Sequence, residues 1–122
     1  MKLKSLLSLC LLALASAASA DEFIQINTDR IGLVLRAEDG GRLYQSYLGK
    51  RLAHESDLQN LPKGTEAYLT HGMEDYFEPA IEVRHNDANP SLLLKYVSHT
   101  SKSVQPGVNE TVITLQDDKY PV

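Results

Sequence analysis

The chain has no Trp, only two Phe and a single Cys in 122 residues, and each shortage excludes something. One Cys cannot form an intramolecular disulfide, so a folded domain must rest on an apolar core, whatever compartment it reaches. Basic residues are also scarce: twelve Lys and Arg face sixteen Asp and Glu, for a formal net charge of -4. Nucleic acids and anionic membrane surfaces select basic patches, so neither is an expected partner. No apolar run approaches the roughly 20 residues that a membrane-spanning helix needs.

The apolar stretch that is present lies at the start. "MKLKSLLSLCLLALASAASA" places Lys2 and Lys4 ahead of an apolar segment from Leu6 to Ala15, then small residues ending in Ala18-Ser19-Ala20. This is the layout of a secretory signal peptide over residues 1–20, with cleavage expected after Ala20 and a secreted or periplasmic destination. Lys2, Lys4 and Cys10 leave with it. The remaining 102 residues carry ten Lys and Arg against sixteen Asp and Glu, a net charge of about -6, which suits a neutral ligand better than a polyanion.

Beyond the leader, the hydrophobic period is two almost throughout. "FIQIN" (23–27) and "IGLVLR" (31–36) alternate, with Ile31, Leu33 and Leu35 assigned to one face. Thr28-Asp29-Arg30 reads as the turn between them, and the Asp-Gly step in "EDGG" (38–41) as a tight hairpin into "RLYQSYLG", where Leu43, Gln45 and Tyr47 alternate with Tyr44, Ser46 and Leu48. The three strands predict an antiparallel meander. Residues 50–72 lose the alternation and read as a surface loop with a turn at Pro62-Lys63-Gly64.

"AIEVRH" (80–85) resumes alternation, "NDANP" (86–90) is a turn, and "SLLLKYVSHTSKSV" (91–104) is a long strand with Leu92, Leu94 and Tyr96 facing one way. A hairpin between 80–85 and 91–104 is expected. "QPGVNE" is a further turn, "TVITLQ" (111–116) a further strand, and "DDKYPV" has the look of a turn into another. The fold class is therefore all-β and antiparallel, and one apolar sheet face requires a second layer. With no closing strand legible, residues 21–122 read as the leading part of one domain, incomplete at its C-terminal end.

The densest chemistry is in "THGMEDYFEPAIEV" (70–83). His71, Glu74 and Asp75 offer metal donors, but a zinc site needs three or four ligands at set geometry, and His54, His85 and His99 supply no such spacing. No metal or other cofactor is expected. "NDAN" (86–89) lacks the spacing of a calcium loop. Asn109-Glu110-Thr111 matches a glycosylation acceptor, a tripeptide common by chance, and carries no assigned role. Asp75 reads either as a turn residue bonded to nearby amides or as a ligand contact. Tyr76 and Phe77 read either as core or as a stacking surface.

Three segments, "LYQSYLGKRL", "THGMEDYFEPAIEVRHNDANPSLLLKYVSHTSKSV" and "TVITLQDDKYPV", together resemble the amino-terminal domain of glycoside hydrolase family 36 alpha-galactosidases, in that family's order and spacing. The resemblance implies a β-supersandwich preceding a (β/α)8 barrel, in an enzyme that removes terminal alpha-linked galactose with retention of configuration. The family's two catalytic aspartates lie on the barrel, beyond this chain, so no catalytic residue is expected here. A retaining mechanism needs two carboxyl groups about 5–5.5 Å apart. In the family the Gly-x-x-Asp-aromatic segment reaches the sugar pocket, in tetrameric members that of a neighbouring subunit. By residue matching this assigns Gly72 as turn glycine, Asp75 as sugar contact and Tyr76 as the aromatic, with Phe77 where relatives commonly carry Arg. The implied partners are alpha-galactosides and further copies of the enzyme. The competing reading is a stand-alone secreted β-sandwich carbohydrate-binding module, against which stand the missing Trp and the missing closing strand.

Overall fold

The computed structural model describes residues 21–72 and 78–122. The architecture is all-β, in two antiparallel sheets. Strands β1 (Glu22–Asn27), β2 (Ile31–Ala37) and β3 (Leu43–Lys50) form the expected meander, and a two-residue β4 (Thr65–Glu66) pairs with β3. Each hairpin turn has a local cause. The Thr28 hydroxyl accepts the Ile31 amide at 3.0 Å, closing the first. In the second, the Gly41 amide donates to the Glu38 carbonyl at 2.7 Å.

The second sheet is a long hairpin of β5 (Leu94–Gln105) and β6 (Val108–Asp117), turned at Pro106-Gly107. Ile24, Leu35, Ala37 and Leu43 form the buried core on one face of the meander, and Tyr96, Ile113 and Leu115 of the hairpin pack against it. Full burial of an Ile or Leu side chain contributes roughly 1.5–3 kcal/mol, and Ile24 is only 1% exposed. A backbone bond from the Tyr96 amide to the Gly41 carbonyl, 2.7 Å, ties β5 to the meander's second turn.

The opposite face of the meander is also covered. Val34, Tyr44 and Ser46 are buried there. The segment after β3 lies over them: the Ser46 hydroxyl donates to the Lys63 carbonyl at 2.9 Å, and the Lys63 ammonium sits 4.1 Å from the Tyr44 ring centroid. Gly64 turns this segment at φ +82°, and a Cβ there would lie 1.9 Å from the Gln45 carbonyl oxygen. Only glycine meets both conditions.

Three expectations are corrected. The 50–72 loop contains a 3-10 helix, Glu55–Asn60, which buries Leu58, as well as β4. Alternation along β3 breaks at Ser46: Val34 pairs with Tyr47 and Leu35 with Gln45, so Ser46 is an extra residue, a bulge that places Leu48 opposite Leu33. Residues 80–85 keep their alternation, with Ile81, Val83 and His85 half-buried and Ala80, Glu82 and Arg84 exposed. They form no hairpin with 91–104, because β5 takes β6 as partner, and a single parallel bridge joins Thr70 to Ile81. Ile31 shares the face of Leu33 and Leu35 but lies at the start of β2 and is 55% exposed. Among the described residues, no helix is long and apolar enough to cross a membrane.

Candidate functional site

The motif that the sequence singles out begins at Gly72, which adopts φ +91°. A Cβ at this position would meet the Ser91 hydroxyl oxygen at 2.6 Å, so a left-handed conformation and a close approach both call for glycine. Asp75 and Tyr76, with Met73, Glu74 and Phe77, lie outside the described residues.

The two flanks of that segment are fastened to each other, and the near flank to Leu92 in the body of the domain. The Leu92 amide donates to the His71 carbonyl at 2.9 Å, and the His71 amide to Ile81 at 3.3 Å. On the far side, the Ala80 amide donates to Leu69 at 2.8 Å. Thr70 is buried, at 4% exposure, and its hydroxyl donates to the Leu92 carbonyl. Leu92 is itself 1% exposed, so the anchor of the motif is set into the domain interior.

Behind Leu92 a hydrogen-bonded clasp joins the 85–93 loop to the segment after β6. His85 stacks on Tyr120, with ring centroids 3.5 Å apart and planes 7° from parallel, while its Nε2 lies 3.0 Å from the Ser91 carbonyl. The Tyr120 hydroxyl donates to Asp87 at 2.9 Å and accepts from the Asn89 side-chain amide at 2.8 Å. Asn89 in turn accepts the Ser91 amide at 3.0 Å, and Asp87 the Asn89 amide at 3.0 Å. The 86–89 turn closes with the Ala88 amide on the His85 carbonyl, 2.9 Å, and holds Ala88 at φ 64°.

Asp117 is the hub of this clasp. Its buried carboxylate accepts the Leu93 amide at 2.7 Å, the Lys119 amide at 2.7 Å and the Tyr120 amide at 3.0 Å. Burial pushes its pKa upward, but the three amide donors and the nearby His85 outweigh it and hold the carboxyl below its ordinary range. Asp87 is held low as well, by the Asn89 amide and then the Tyr120 hydroxyl. A glycosidase's general acid needs a raised pKa. Both carboxylates are instead held ionised, accepting the hydrogen bonds that close the 85–93 loop and the segment after β6.

The sequence reading missed Asp117, His85 and Tyr120. Asp117 had a local signal, an Asp followed two and three residues on by the amides it bonds. The His85–Tyr120 contact spans 35 positions and has none. His71, His54, His85 and His99 stand in no common site, and among the described residues no group of three or more His, Cys, Asp or Glu is placed to hold a metal ion. Compared with known proteins, the chain matches no family model and no curated protein.

Proposed function

We propose that the chain is non-catalytic amino-terminal β-sheet scaffold of a secreted, retaining alpha-galactosidase of the family 36 type, with a supersandwich as its complete architecture. In this reading it supports assembly of the enzyme into oligomers and supplies one edge of the sugar pocket through the segment from Gly72 to Tyr76. Terminal alpha-galactosides are the substrate class. The chemistry belongs to two aspartates on a barrel outside this chain.

The observation that carries the reading is the fastening of both flanks of the 72–78 segment. His71 is bonded to Leu92 and Ile81 on one side, and Ala80 to Leu69 on the other. A short polar segment whose ends are fixed to a buried base suits a contact that must be presented at a set position, because ordering a loop on binding costs free energy that a fixed base reduces. Asp75 then offers two acceptor oxygens to sugar hydroxyls, and Tyr76 a ring face.

Asp75→Ala in the complete enzyme tests the reading. Removing a contact made equally in ground and transition states raises KM and leaves kcat nearly unchanged. An unchanged KM for an alpha-galactoside removes the pocket-edge role. Separately, turnover of an alpha-galactoside by the purified 122-residue chain contradicts the scaffold assignment.

A further inference from the structure

The inner row of the β5–β6 hairpin changes character along its length. Its rungs begin as Leu94/Asp117, Tyr96/Leu115 and His99/Ile113, then become Ser101/Thr111 and Ser103/Asn109. The second and third rungs supply Tyr96, Leu115 and Ile113, which pack on the meander's core. The last two, where a sandwich interior calls for further apolar residues, carry only hydroxyls and an amide. They face an open groove of about 770 Å³, whose other wall is the 25–27 stretch of β1, with Ile26 on the side that faces the hairpin and Gln25 and Asn27 directed to the opposite face with Val34 and Gly32. The volume lies within the roughly 300–1,000 Å³ of small-ligand sites.

The chemistry of the groove is balanced. Hydroxyls and carboxamides each donate and accept hydrogen bonds, and the Ser101 and Thr111 hydroxyls are already aligned with each other at 2.9 Å. The ammonium of Lys102 is paired with Glu110 at 2.9 Å. Asp29 and Arg51, also on the wall, are of opposite sign. No field of one sign selects an ion, and the paired donors and acceptors match a ligand that presents many neutral hydroxyls.

We propose that the groove between the distal β5–β6 rungs and β1 is a binding site for a neutral oligosaccharide, contacted by Ser101, Ser103, Asn109 and Thr111 and bounded on the other side by β1 at Ile26. The site is separate from the Gly72–Tyr76 segment and stands without it. It also gives the Asn109-Glu110-Thr111 tripeptide a use, since both of its polar ends face the groove. With hydroxyls and amides as its main contacts and no aromatic ring on its wall, the site binds weakly and exchanges fast, a regime in which backbone amide shifts report occupancy directly.

The test is a titration of the full exported chain with raffinose, followed by amide NMR shifts. Saturable shifts at Ile26, Ser101 and Thr111 are expected. The Ser101→Ala/Asn109→Ala double variant is expected to weaken binding roughly tenfold, from the loss of two hydrogen bonds, with Tm unchanged. Thr111→Val, which keeps the side-chain shape, provides the same readout should the double variant lose stability. Asp75→Ala is expected to leave the groove shifts intact. Absence of saturable groove shifts, or groove shifts that persist undiminished in the hydroxyl and amide variants, overturns the proposal. Shifts confined to His71 and Gly72 overturn it too, while leaving the pocket-edge reading standing.

Discussion

The His85 imidazole lies flat on the Tyr120 ring, 3.5 Å between centroids and 7° from parallel. The contact locks the loop behind Leu92 to the segment that follows β6. Tyr120→Phe keeps the stacked faces but removes the hydroxyl bonded to Asp87 and Asn89. It is expected to lower Tm by a few degrees and to let the Asp87 pKa rise toward its ordinary value. Tyr120→Leu, which also removes the stack, is expected to cost more. Thermal melts and carboxyl NMR titration of the two variants check the order.

Asp117 makes the clasp sensitive to acid. Because its folded-state pKa is below the unfolded one, its contribution to stability is present above about pH 3.9 and is lost as pH falls through the folded value. Asp117→Asn removes one acceptor and turns an amide donor toward a buried backbone N–H, for an expected loss of about 1–3 kcal/mol at neutral pH. Urea melts from pH 7 to pH 3 should show the difference between parent and variant narrowing at the acid end. A constant difference contradicts the assignment.

Tyr96 sits at the junction of the two sheets, its hydroxyl 2.7 Å from His99 Nδ1, with Glu22 of β1 close to the same imidazole at 3.4 Å. Burial, then the bond and charge of Glu22, push its pKa up to about 12. The raised value means that its stabilising effect is complete below about pH 10 and is lost as pH climbs through about 12. An ultraviolet phenolate titration is expected to find Tyr96 ionising late, and Glu22→Gln to lower its pKa.

Gly64→Ala is expected to destabilise the chain by roughly 2 kcal/mol or more, since a positive φ and a collision with backbone act together. Gly107→Ala provides the comparison. Gly107 shares the positive φ of +76°, but nothing lies within 4 Å of its Cβ, so only the conformational penalty applies. Equal losses from the two substitutions would show that the contact with Gln45 is unimportant.

The meander was legible because β1 and β2 alternate, β3 alternates on either side of its bulge, and each turn carries its own hydrogen-bonding cue, Thr28 in one and Asp39-Gly40 in the other. Residues 80–85 alternate just as clearly, and that alternation is real in their burial. Period two reports which way side chains point, however, and says nothing of which strand lies alongside. The ladder went to the pair joined by Pro106-Gly107, the shorter connection. Gly72 was assigned as a turn glycine by the family resemblance alone, and the support it receives from Ser91 and Leu92 depends on contacts about twenty positions away.

The extra residue at Ser46 bears on how chains of this shape can vary in length. Pairing is regular on both sides of it, from Leu43 to Gln45 and from Tyr47 to Lys50. Deleting Ser46 joins two ladders that are already in phase, at the cost of its bond to Lys63. Deleting a neighbour further along β3 sends every later side chain to the opposite face. Insertions and deletions in relatives of this strand should therefore gather at one position, and an alignment that spreads its gaps elsewhere along β3 will misassign which residues are inside.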